Sequence, residues 1–194
     1  ALRMQQPQNA ALLLRYGADI LYQFSQGDGA TPLIVAAQWG YTDIVVTILR
    51  QLNQLKESGN LSGLKYEAYL NAYLYSDRGL TALYIALQNK HWKTARVLLK
   101  IEAVRADISS SQTVKLNPLM FLQEAPQPEL LELILEKLKN QGTIEACIEQ
   151  IFQPQGTAAA QGGGGSLVMA LRMQQPQNAA LLLRYGADIL YQFS

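Results

Sequence analysis

A short apolar motif that returns four times constrains this chain more than any other feature of it. Thr31-Pro32-Leu33-Ile34-Val35-Ala36-Ala37 is followed by Thr81-Ala82-Leu83-Tyr84-Ile85-Ala86-Leu87, then Asn117-Pro118-Leu119-Met120-Phe121-Leu122, then Gly165-Ser166-Leu167-Val168-Met169-Ala170-Leu171. Shortly after each comes a second apolar run with helical spacing, at 44–49, 95–99, 130–135 and 179–183. One short helix and one longer helix per unit, repeated, make a solenoid. In such a stack each unit covers its apolar face only against its neighbours.

The residues around the motif suit that arrangement. Thr31 and Thr81 are good helix N-caps, because a hydroxyl accepts from a free N–H of the first turn. Pro32 and Pro118 fit the first helical position, which needs no N–H. Gly40 ends the first helix where a Cβ is disfavoured, and Asp43 lies in the first turn of the second helix, where negative charge is favoured. Pro126 and Pro128 stop one helix and start the next.

These residues resemble the ankyrin repeat, whose pattern is T-P-L-x-x-A-A, a tight turn, an apolar second helix and a closing G-A-D. Tyr16-Gly17-Ala18-Asp19 and Tyr185-Gly186-Ala187-Asp188 match the close. The resemblance implies an all-α solenoid of helix–turn–helix units whose role is to bind other proteins without catalysis, inside a cell. Irregular, Gln-rich members are similar to proteins that intracellular bacteria deliver into a host cytosol. The position after T-P-L, usually His in the family, is Ile34, Tyr84, Met120 and Val168, so the bonds of that His are expected to be missing. The motif starts at 31, 81, 117 and 165, and two of these steps exceed the family's length of about 33 residues. The excess predicts an insertion at 51–78, with a helix over 63–75, and another after 137, with a helix over 143–152. The expected organisation is a partial repeat at 1–25, then 26–50 with its insertion 51–78, then 79–112 and 113–152. A flexible linker at 153–165 and a further repeat at 166–194 complete it.

Residues 1–25 recur without a change at 170–194, just after the run Gly162-Gly163-Gly164-Gly165-Ser166. Natural repeats diverge, so an identical copy beside a linker-like run reads as an engineered duplication. The copy is expected to cap the C-terminal end of the stack, or to exchange head-to-tail with the N-terminal repeat of another molecule.

Chemistry is expected to be absent. A net charge of +1 offers no footprint for nucleic acid or an anionic membrane. The only Cys, Cys147, excludes an internal disulfide, and with one His, His91, the usual zinc clusters are excluded. The glycine run lacks the Gly-Lys-Ser/Thr of a phosphate loop, so no cofactor is expected. Partner-binding positions are read in two places. By register, the resemblance puts the concave binding surface at Asp28, Ala30, Gln38 and Trp39, then at Arg78, Leu80, Gln88 and Asn89, then at Val114, Leu116 and Gln123. Trp39 is a good anchor there. In the insertion, Tyr66, Tyr69 and Tyr73 follow i, i+3, i+7. That spacing either packs the extra helix onto the stack or presents a contact surface.

Overall fold

The computed structural model describes residues 6–22, 29–75, 80–107, 117–122, 127–148 and 165–188. It is all-α: among the described residues the sole sheet-like feature is an isolated antiparallel bridge between Tyr73 and Thr81. The chain divides into two compact units, Ala1–Lys115 and Leu116–Ser194. The linker expected before the second copy and the positions Asp28 and Arg78 lie outside the described residues, apart from Gly165.

The first unit holds α1 (Pro7–Arg15), α2 (Pro32–Gln38), α3 (Thr42–Glu57), α4 (Gly63–Leu70), α5 (Ala82–Gln88) and α6 (Trp92–Leu99). Helix α2 pairs with α3, and α5 with α6; the pairs stack α2 on α5 and α3 on α6, and α1 packs on α3. The caps form as the side chains dictate. Thr31 Oγ1 accepts from Ile34 N at 3.3 Å and Thr81 Oγ1 from Tyr84 N at 3.4 Å. Leu33, Ile34, Ile48, Leu52, Leu83, Leu87 and Leu98 are fully buried, and so is Tyr84, whose hydroxyl donates to Ala106 O at 3.1 Å. Thr42 and Thr94 join α3 to α6 through a 2.8 Å hydroxyl contact.

The second unit holds a 3-10 helix (Pro118–Leu122), α7 (Pro128–Asn140), α8 (Ile144–Ile148), α9 (Ser166–Arg172) and α10 (Pro176–Arg184). Helix α10 packs on both α9 and α7, while α7 also meets α8 and the 3-10 helix. Leu130, Ile134, Leu135 and Leu138 form its buried face. Arg184 pairs with Glu132 of α7.

One backbone signature sets the register of both units. The residue just after the C-cap of α2, α5 and α9 is left-handed: Gly40 at φ +67°, Lys90 at +59° and Gln174 at +55°. Each is followed by the same double closure, Gly40 N to Ala37 O with Tyr41 N to Ala36 O, and its counterparts at Lys90–His91 and Gln174–Gln175.

Three elements depart from the sequence reading. Helix α3 runs to Glu57, twice as long as α6, so the start of the predicted insertion simply prolongs it. Helix α4 ends at Leu70 rather than 75. The cause is Asn71, whose side chain donates to Ala103 O and accepts from Arg105 N, both at 2.8 Å, after which Leu74 N pairs with Leu80 O. The third motif forms a 3-10 helix, because Asn117 Oδ1 accepts from Leu119 N two residues on, a tighter closure than that of Thr31. Of the helix expected over 143–152, Ile144–Ile148 is seen, with Ile148 its only buried residue; 149–152 lie outside the described residues.

Candidate partner-binding surface

The ends of α2 and α5 form one rim on the first unit. Asn89 Nδ2 donates to the carbonyl of Gln38 at 3.0 Å, and the His91 Nε2 lies 3.1 Å from the same oxygen. The His91 ring lies against Gly40, where an added Cβ would fall 2.6 Å from Nδ1. His91 is thereby used to join two repeats, as a turn residue should be. Trp39 stands on this rim with 37% of its surface exposed, and Gln38, Gln88 and Asn89 are exposed beside it. At the other end of these helices, about 10 Å away at 1.5 Å per residue, Tyr73 and Tyr75 are exposed and meet edge to face at 6.2 Å.

The structure redistributes the expected positions. Gln38, Trp39, Gln88 and Asn89 come together, and Tyr73 stays exposed. Ala30 and Leu80 do not line a surface: both are buried, closing the core at the start of the first helices. Tyr66 and Tyr69 are likewise taken out of the contact set. Tyr66 is buried, its hydroxyl donates to Asn53 Oδ1 at 2.5 Å, and Lys56 Nζ sits 4.6 Å above its ring. The Tyr69 hydroxyl donates to Ile20 O. Their spacing thus serves to fasten α4 to the stack. Asp28, Arg78, Val114, Leu116 and Gln123 lie outside the described residues. Sequence reasoning missed Tyr75, whose ring lies against Gly29, and Leu64, which is 83% exposed on α4. A lone apolar residue carries no signal; an aromatic two positions from Tyr73 could have been noticed.

Burial pushes the Tyr69 phenol well above its ordinary range, with a smaller push from Asp19; bonds to Thr31 and Leu33 oppose the shift. The fold therefore favours the neutral phenol. This stabilisation is complete below the unfolded phenol's pKa of about 10 and is lost as pH rises from there through the folded value. Urea midpoints are expected to fall above about pH 10, and Tyr69→Phe to flatten that fall.

A family model for ankyrin repeats, in three copies, matches residues 1–112. This chain belongs to the ankyrin-repeat family. The match falls within the first unit; the helix pair α9 with α10 of the second unit lies beyond it and carries the same left-handed turn at Gln174. Among solved structures, one chain of a complex between a predatory endopeptidase from Bdellovibrio bacteriovorus and an immunity protein is similar, with a TM-score of 0.58 and 22% identity. The likeness covers 97% of this chain and 80% of that one, and at this identity it is a likeness of fold. No curated protein matches the chain. Among the described residues no cluster of His, Cys, Asp and Glu could hold a metal ion, and no helix is long and apolar enough to cross a membrane.

Proposed function

We propose that the first unit is a non-catalytic module that binds a partner protein, with Gln38, Trp39, Gln88 and Asn89 as its contact rim and Tyr73 with Tyr75 as a second contact. Membership of a family that mediates protein binding supports the general role. The observation that carries the site is Trp39: a large aromatic left with more than a third of its surface in water at the end of α2. The Asn89–Gln38 bond fixes the backbone beside it, so little freedom is lost when a partner covers the ring. Of the 51–78 insertion, Tyr73 and Tyr75 remain available, while α4 is anchored through Tyr66 and Tyr69.

Affinity capture with the wild-type chain and with Trp39→Ala tests this. A specific partner is expected to be retained by the first and lost by the second, with affinity down about 30-fold, the scale of an aromatic hot spot. Stability should change by only about 1 kcal/mol, as for a partly exposed side chain. Equal retention by both chains would remove Trp39 from the site.

A further inference from the structure

Helices α1 and α10 have the same sequence and bury the same alanine, Ala10 and Ala179, but they bury different members of the leucine pair that follows it. The second helix of a complete repeat carries two core residues in succession, and α3 and α6 bury both: Ile48 and Leu49, Leu98 and Leu99. In α1 the first of the two, Leu13, is 53% exposed, while the second, Leu14, is 6% exposed, against α3. In α10 the pattern is inverted. Leu182 is 3% exposed, between α9 and α7, and Leu183 is 47% exposed. Each copy thus lacks the cover that the other has.

From this we infer that α9 and α10 of one molecule dock on α3 of a second copy of this chain, displacing the α1 that occupies it. The structure supplies the template. The site on α3 already holds this helix, with Leu14 buried and Gln51 Nε2 donating to the Leu14 carbonyl at 3.1 Å. Leu183 and its carbonyl would take those places, so α3 exchanges like for like. The incoming helix is the better prepared, because α9 already covers Leu182, whereas α1 keeps Leu12 and Leu13 about half exposed. Exchange releases α1 and recovers its ordering entropy, which offsets part of the cost of association. The contact is heterologous, so it closes a swapped dimer or extends into a ladder.

The test is solution mass by light scattering across concentration, on the full chain and two variants checked by circular dichroism. The wild type is expected to form dimers or higher species. Leu183→Glu, a change at an exposed position, should raise the midpoint concentration by about tenfold or more. Leu14→Glu should lower that midpoint, because it weakens the resident competitor and leaves α10 intact. A wild-type chain that stays near 21.5 kDa throughout would overturn the inference. So would assembly that ignores Leu183→Glu. Assembly abolished by that change but indifferent to Leu14→Glu would assign the contact to α10 alone and overturn the exchange.

Discussion

Replacing Tyr84 by alanine is expected to cost the first unit about 3–5 kcal/mol, the range for deleting a buried aromatic ring. No part of Tyr84 reaches solvent. It sits in the middle of α5, a helix whose residues Ala82 to Leu87 are all buried, between α2 and α6. The cavity left by the ring could not be filled without moving two neighbouring helices. The hydroxyl adds a long-range link, because it donates to Ala106 O across the third repeat. Tyr84→Phe keeps the ring and should cost only about 1 kcal/mol, the net worth of one such bond. Urea denaturation of both variants separates the two contributions. A loss below about 1 kcal/mol for the alanine change would contradict the packing described.

The second large effect lies at Gly40. Its φ of +67° disfavours any L side chain, and a Cβ there would also strike the His91 imidazole at 2.6 Å. Gly40→Ala should therefore cost about 2–3 kcal/mol, of which roughly 1–2 is the left-handed backbone. Removing the imidazole with His91→Ala should reduce the penalty of the glycine change, and a double-mutant cycle reads that coupling. The equivalent turn at Lys90 has the same geometry with a side chain in place. Lys90→Gly should accordingly stabilise by about 1 kcal/mol. The opposite signs at two matching turns are the check.

The repeat architecture was legible because its signals are local. A Thr cap, a proline at the first helical position and a glycine after the motif each act within one turn. What the sequence reading missed depends on partners distant along the chain. The sequence predicts a helix that runs to 75, since nothing in 71–75 breaks a helix by itself; Asn71 ends it by bonding to residues 103 and 105. The three tyrosines of the insertion share one spacing, yet only Tyr73 stays exposed, because Asn53 and Ile20 use the hydroxyls of Tyr66 and Tyr69. Periodicity assigns residues to a face of a helix and is silent about what covers that face. The missing motif histidine predicts a loss of hydrogen bonds. At Tyr84 the structure shows a different bond, from the phenol to the carbonyl of Ala106. The rim of Gln38, Trp39, Gln88 and Asn89 was readable by register, since the first helices end at matching positions.

The identical nonapeptide of α1 and α10 has a use of its own. Helix propensity, side-chain entropy and intrinsic amide chemistry are the same in both places, so they cancel when the two are compared. A difference in amide hydrogen exchange between matching residues of the two helices then measures tertiary context alone. Few chains carry such an internal reference, in which one sequence is weighed in two surroundings of the same molecule.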